Sequence, residues 1–325
     1  MSYAKIIGMG CYAPEKVYDN TYMESIVDTS DEWIVQRTGV KRRHICADDQ
    51  FTTDIATEAA KKALASANMP ADELELIILA TVTPDYFTPS CACVVQKNIE
   101  ADNAAAFDIN AACSGFVTAM NIAKQFIENG TYKNALIIGA DALSKATDYK
   151  DRSTCILFGD AAGAVVLEKS ETPGVMACDI GAKGKDGDKL TSLAYRADAE
   201  QIEKRISGNP HTVWMAGGEV MKFAVKAMEK AAFNVVEKAG VEFSDIALVV
   251  PHQANRRIVE SAVKRMGISM DKVYLNLEEY ANTSSASIPV ALCEAVEKGY
   301  AKKGDKIVLV GFGGGLTWGA ALLEL

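Results

Sequence analysis

Hydrophobic positions along this chain fall into two regimes. Leu74 to Val82, Ala135 to Gly139, Ala161 to Leu167, Ala247 to Val250 and Lys306 to Gly311 are short, nearly continuous apolar runs, the signature of strands covered on both faces. Elsewhere apolar residues recur at helical spacing. Thr52 to Ala67, with Thr52 or Thr53 as its cap, Ser90 to Ile99, and Ser284 to Val296 read as helices, and after Cys113 so does the set Phe116, Val117, Met120, Ile122, Ala123, Phe126 and Ile127. Lys5 to Met9 opens the chain as a short strand, a helix begins near Asn20, and Ala216 to Phe223 opens a long one. Strands separated by helices predict a layered α/β fold.

The order repeats. From Pro84 to Cys113 is 29 residues and from Pro251 to Asn282 is 31, while Cys113 to Gly139 is 26 and Asn282 to Gly311 is 29. The spacing predicts an internal duplication in which Cys113 and Asn282 occupy equivalent helix starts and His252 follows a central strand of the second half. Gly174 to Pro210, rich in Gly, Lys and Asp, reads as a turn or mobile surface segment between the halves. Its Gly181-Ala-Lys-Gly-Lys-Asp-Gly187 lacks the order of a phosphate loop.

Composition narrows the chemistry. With 325 residues, 49% of them hydrophobic, the chain can build one large core or two fused ones. Its 43 acidic against 34 basic residues give a net charge of −9, which disfavours nucleic acid but allows a local basic patch. Eight cysteines are spread through apparent core segments, Cys91-Ala-Cys93 lacks redox or zinc spacing, and there are three histidines. A reducing compartment and no metal site are expected. No signal peptide or membrane-length apolar run is seen, which predicts a soluble cytoplasmic protein.

The sharpest candidate is Cys113 within Asp108-Ile-Asn-Ala-Ala-Cys-Ser-Gly-Phe116. A strand-to-helix junction offers free N–H groups and a positive dipole end, which favour a thiolate and can hold an oxyanion. His252, just beyond a buried strand, is placed to act as a base or, kept neutral, to donate Nε2–H to developing negative charge. Asn282 can cap a helix or add a second donor to the same oxygen. Trp33 and Arg37 lie in a cationic stretch beside Gly39, a mixture that fits either a phosphorylated, base-bearing ligand or an ordinary solvated surface. Cys, His and Asn in this order also occur in papain-like proteases, but the neighbours of Cys113 and the α/β pattern do not fit that family.

Together these segments resemble the 3-oxoacyl-[acyl-carrier-protein] synthase III family across almost the whole chain. The resemblance rests on Thr29–His44, Asp108–Phe116, Phe158–Gly163, Pro251–Ile258, Asn282–Ser287 and Gly311–Gly319. It implies a thiolase-like five-layered α-β-α-β-α fold of two pseudo-symmetric halves, residues 1–172 carrying the nucleophile and 173–325 carrying His and Asn, normally as a homodimer. It also implies decarboxylative condensation of a short or branched acyl-CoA with malonyl carried on acyl carrier protein, initiating fatty acid synthesis through acyl-Cys113. No cofactor, metal, nucleic acid or membrane is implied. By the same likeness Trp33, Arg37 and Arg152 hold the CoA adenine and phosphates, and Gly217 and Met221 line the pantetheine channel. Lys222 and Arg257 sit at the channel mouth, and with Arg256 they form a docking patch for the acidic carrier. Phe87 reaches an acyl pocket across the dimer, and the N–H groups of Cys113 and Gly314 form the oxyanion hole.

Two positions depart from the family pattern: Ala281 stands where glycine commonly precedes the asparagine, and Met221 where phenylalanine is frequent. Alanine disfavours a positive φ, and methionine makes the channel wall more adaptable. Thiolases call for a second catalytic cysteine, and none falls near Gly313 to Gly315; hydroxymethylglutaryl-CoA synthases call for a glutamate, and Glu58 and Glu100 lack the context. A non-enzymatic CoA binder would not need Cys113, His252 and Asn282 together.

Overall fold

The computed structural model describes residues 2–195 and 199–325. Numbering strands of five or more residues, the first half contributes β1 (Tyr3–Tyr12), β2 (Leu76–Ala80), β3 (Ala105–Ile109), β4 (Asn134–Ala142) and β5 (Asp160–Ser170). The second contributes β6 (Val175–Ala182), β7 (Ile246–Pro251), β8 (Lys306–Gly313) and β9 (Thr317–Glu324). Helices of eight or more residues are α1 (Asp31–Thr38), α2 (Thr52–Ala67), α3 (Cys91–Asn98), α4 (Gly115–Glu128), α5 (Gly217–Ala239), α6 (Arg256–Met266) and α7 (Ser287–Glu297).

The strands form two sheets, ordered β1-β5-β4-β2-β3 and β7-β8-β9-β6. In the first, β2 runs parallel to β3 and β4, while β5 is antiparallel to both β4 and β1. In the second, β7 is parallel to β8, and β9 is antiparallel to both β8 and β6. Read outward from β2 and from β7, the two orders and directions coincide. The counterpart of β3 is reduced to one parallel bridge, Val249 with Val273.

Strand periodicity assigns the layers. Leu76, Ile78 and Ile137 of the first sheet, with Leu248, Val250, Ile307 and Leu309 of the second, face a shared central core filled by Phe116, Met120 and Ile127 of α4 and Ile288 and Leu292 of α7. The alternate residues Ile77, Leu79, Leu136 and Ile138 pack outward on Ile55, Ala59 and Ala63 of α2. Likewise Val249, Val308 and Val310 pack on Met228 and Val235 of α5 and Ala262 of α6. The result is five layers, α-β-α-β-α, as a period of two in runs buried on both faces requires.

Each of the five apolar runs is a strand, and the four helices read from periodicity are present. Two expectations need correction. Neither Thr52 nor Thr53 caps α2; both are already in its first turn, where their N–H groups donate to the carboxylate of Asp85, at 3.0 and 3.1 Å, from the loop after β2. The segment from Gly174 to Pro210 is not simply surface: β6 is an edge strand of the second sheet, and Leu190–Thr191 pairs with Trp214–Met215. Gly181 conceals β6 from periodicity because it packs flat on Trp318, whose ring lies 2.2 Å from where a Cβ would stand. Residues 196–198 of that segment lie outside the described residues.

Candidate active site

Cys113 sits in a 3-10 turn, Ala112–Ser114, between β3 and α4. The turn opens with Ala112 at φ 47, and Asn110 Oδ1 accepts the Ala112 N–H at 3.2 Å. The second half builds the same device: Ser284 has φ 51, Asn282 Oδ1 accepts its N–H at 2.9 Å, and a 3-10 turn Ser284–Ala286 leads into α7. Matched by these turns, Asn282 corresponds to Asn110 and Cys113 to Ser285. The equivalence of Cys113 with Asn282 expected from spacing is thus three residues out of register. Left-handed backbone at non-glycine residues is costly, and its recurrence at Ala112 and Ser284, each with its N–H bonded to an asparagine two residues before it, shows that the two turns share one geometry.

His252 follows the end of β7, and its N–H donates to Val310 O at 2.8 Å. Its Nδ1 lies 2.6 Å from Ser287 Oγ in the first turn of α7. The same Oγ accepts the Gln253 N–H at 3.4 Å, and among the described residues it has no other partner. The hydroxyl proton is then left for Nδ1, which places the imidazole proton on Nε2. Burial depresses the His252 pKa from 6.5 to about 3, so the ring is neutral at physiological pH.

Asn282 is pinned between the halves, its N–H donating to Leu157 O at 2.9 Å and its carbonyl accepting from Gly159 N at 3.0 Å. Behind it, the buried Asp141 of β4 accepts from Ser285 through N, at 2.9 Å, and Oγ, at 2.6 Å. The same carboxylate takes Thr81 Oγ1 and Val82 N from the end of β2, at 2.9 and 2.7 Å. Sequence reasoning missed Asp141 and Ser287, although a carboxylate inside an apolar strand was the available signal for the first. Ala281 adopts φ 58 and ψ −155 with its side chain fully buried. Alanine thus takes the positive φ it was expected to avoid, and the cost of that conformation remains, borne beside a dense set of hydrogen bonds.

These residues share one cavity of about 1470 Å³, lined by Cys113, His252, Asn282, Phe312 and Gly314 together with Trp33, Arg37, Arg152 and Arg257. Phe87, Gly217 and Met221 also line it. Leu190 to Ala194 and His211, given no role by sequence, contribute further wall. Lys222 and Arg256 are exposed but lie outside the lining, and Arg256 is paired with Glu260 at 3.1 Å. The Arg152 guanidinium lies over the Trp33 ring, 4.8 Å from its centroid, and that of Arg37 at 5.6 Å, so two cations share one aromatic ring.

The Cys113 sulfur does not match the expected thiolate. Burial pushes its thiol up to about 12, with the nearby Ser284 hydroxyl opposing the shift. Desolvation outweighs the helix start, although the residue keeps some exposure toward the cavity. Gly313 approaches so closely that a Cβ there would lie 2.5 Å from Cys113 N. The backbone around the sulfur is thus closely confined, and a neutral histidine and a side-chain amide open onto the same space.

Comparison with known proteins decides the family. Family models described as 3-oxoacyl-[acyl-carrier-protein (ACP)] synthase III and its C-terminal part match residues 107–184 and 236–325. The chain is 50% identical over 321 residues to beta-ketoacyl-[acyl-carrier-protein] synthase III of Clostridioides difficile, covering 99% of this chain and 98% of that one. The chain belongs to the beta-ketoacyl-[acyl-carrier-protein] synthase III family. The solved structure of the Aquifex aeolicus synthase III superposes with a TM-score of 0.93 at 48% identity, covering 99% of this chain and 100% of that one. A priming beta-ketosynthase from the R1128 polyketide pathway also gives a TM-score of 0.93, at 32% identity, covering 99% of this chain and 96% of that one. Membership of the synthase III family makes the chain an acyltransferase of the condensing type with the thiolase-like fold. Among the described residues no helix is long and apolar enough to cross a membrane.

Proposed function

We propose that this synthase condenses an acyl-CoA primer, acetyl or short branched acyl, with malonyl held on acyl carrier protein, releasing CoA and CO2. The observation carrying this reading is the meeting of Cys113, a neutral His252 and Asn282 on one cavity. The Cys113 sulfur attacks the acyl thioester as its proton passes to the departing sulfur, forming acyl-Cys113 and releasing CoA as the free thiol; the N–H groups of Cys113 and Gly314 hold the tetrahedral oxyanion. Decarboxylation of malonyl then leaves an enolate. His252 Nε2–H and Asn282 Nδ2–H donate to its oxygen, and the carbanion attacks acyl-Cys113 to give the 3-oxoacyl thioester.

Trp33, Arg37 and Arg152 receive the adenine and phosphates of CoA in this reading, and Gly217 and Met221 flank the pantetheine. Lys222, Arg256 and Arg257 form a cationic exit for the carrier protein, steering an acidic partner to a chain of net charge −9. Phe87, 72% exposed in the single chain and stacked on Tyr195, supports a homodimer in which it enters the partner's acyl pocket. The matched sheets and turns support two duplicated halves, 1–172 and 173–325.

The test separates the half-reactions. His252→Ala and Asn282→Ala are expected to lower malonyl decarboxylation by roughly a hundredfold or more, the cost of a lost oxyanion donor. Single-turnover acylation of Cys113 from labelled acyl-CoA is expected to change far less. Equal losses in both assays would make His252 a thiol-activating base instead.

A further inference from the structure

On the far side of the first sheet from β3, a second cluster of reactive groups has no part in the cavity. Cys11 lies near the end of β1, Cys293 faces it from α7, and Glu297 stands one helical turn further along the same face. The approach is built into the sheet. Cys11 pairs across the ladder with Gly163 of β5, and a Cβ at Gly163 would come within 2.8 Å of both Pro289 Cβ and Val290 N. A bare glycine there lets α7 press onto the sheet and brings sulfurs 282 positions apart in sequence together.

The two Sγ atoms and a Glu297 carboxylate oxygen lie within 4.8 Å of one another, and Cys293 Sγ is 3.5 Å from Glu297 Oε1. A tetrahedral ion with metal–sulfur bonds of about 2.3 Å and metal–oxygen bonds of about 2.1 Å sets its sulfur and oxygen ligands about 3.6 Å apart. That pair, in which the Cys293 thiol donates to Glu297 Oε1, therefore already stands at ligand separation. Cys293 is buried, Cys11 half-buried and Glu297 exposed, so the cluster opens to solvent on one side, where a water can complete four ligands. Two sulfurs among three donors disfavour Mg2+ and Ca2+, which want oxygen, and suit a thiophilic divalent ion.

We propose that Cys11, Cys293 and Glu297 form a binding site for one thiophilic divalent cation of the Zn2+ class, tying β1 to α7. Binding releases the two thiol protons to solvent and moves no electrons. Two thiolates and a carboxylate leave the loaded site with one net negative charge, and the Lys62 ammonium, which donates to Cys11 O at 2.9 Å, lies alongside to offset it. The expectation of no metal site rested on local cysteine spacing and on the three histidines, neither of which reports a pair assembled from opposite ends of the chain. The site is independent of the condensing mechanism.

Co2+ added to the full-length, metal-free chain, kept reduced with a phosphine, tests the proposal by absorption. One Co2+ per chain with thiolate-to-metal absorption and tetrahedral visible bands is expected. Cys11→Ser and Cys293→Ser should each abolish that signal, and Cys113→Ala should retain it, which separates the site from the nucleophile. Glu297→Gln, at an exposed position that does not endanger folding, should weaken Co2+ at least about tenfold, as loss of even an outer-shell partner does. Absence of the thiolate band in the unmodified chain, its survival in Cys293→Ser, its loss in Cys113→Ala, or unchanged affinity in Glu297→Gln would each overturn the assignment.

Discussion

At the scale of single residues, the site is governed by desolvation. Burial holds the His252 pKa near 3 against 6.5 for a free imidazole. Between those values the unfolded chain binds a proton that the folded chain does not, so stability falls as pH drops through that window and is unaffected above it. Urea unfolding at pH 5 and 7 should show a larger acid loss for the native chain than for His252→Ala. Malonyl decarboxylation should show no acidic limb from imidazole protonation near pH 6.5. For Cys113, whose thiol is pushed up to about 12, alkylation by iodoacetamide should rise about tenfold per pH unit from 7 to 9. A plateau in that range would mean that the helix start overcomes burial. Ala281, at φ 58 and ψ −155, carries strain of about 1–3 kcal/mol. Ala281→Gly relieves it at the cost of one buried methyl, about 0.8 kcal/mol, and some chain entropy. Its unfolding free energy should be unchanged or higher by up to about 1 kcal/mol; a drop larger than that would show that the methyl packing dominates.

At the scale of elements, Cys113, His252 and Asn282 ride on junctions that lock one part of the fold to another. Gly313 at the end of β8 lies against the Cys113 turn, where a Cβ would meet Cys113 N at 2.5 Å and Ala112 Cβ at 2.9 Å. Gly313→Ala must displace one of those backbones, and single-turnover acylation should fall by roughly a hundredfold or more, as when an oxyanion donor is lost. Asp141 ties β4 to the turn that carries Asn282. Asp141→Ala would strand the buried donors of Ser285, Thr81 and Val82, at a cost of about 3 kcal/mol in urea unfolding. Helices and central strands were legible because their periodicity reflects burial alone. The turns were not, since a left-handed Ala112 or Ser284 is imposed by tertiary hydrogen bonds that leave no mark in residue type.

Across the whole molecule, net charge and local charge point in opposite directions. The chain carries −9, yet Arg37, Arg152 and Arg257 open onto the cavity. If Arg257 steers an acidic carrier, Arg257→Glu raises KM for malonyl on acyl carrier protein and makes its salt dependence shallower up to about 0.3 M, where the Debye length is below ~8 Å. Arg256→Glu is a weaker probe because Arg256 is paired with Glu260 and stands outside the lining. Measuring kcat/KM with malonyl-CoA beside the carrier-bound donor separates docking from CoA contacts. No selective loss with the carrier-bound donor would place docking elsewhere.

The sequence by itself determined the layered α/β class, the paired order of strands and helices, and the choice of Cys113, His252 and Asn282 as candidates, three residues that line one cavity, because burial and residue chemistry are written locally. It also held enough shared motif to place the chain in its family. Only the tertiary structure decided the register of the two halves, since Asn110 matches Asn282 through backbone conformation and not through count. Only it supplied the Ser287 partner that fixes the His252 proton, the burial that keeps the Cys113 proton on sulfur, and the meeting of Cys11 with Cys293. Each depends on groups distant in sequence sharing one small volume, and desolvation and hydrogen-bond geometry act only once that volume has closed.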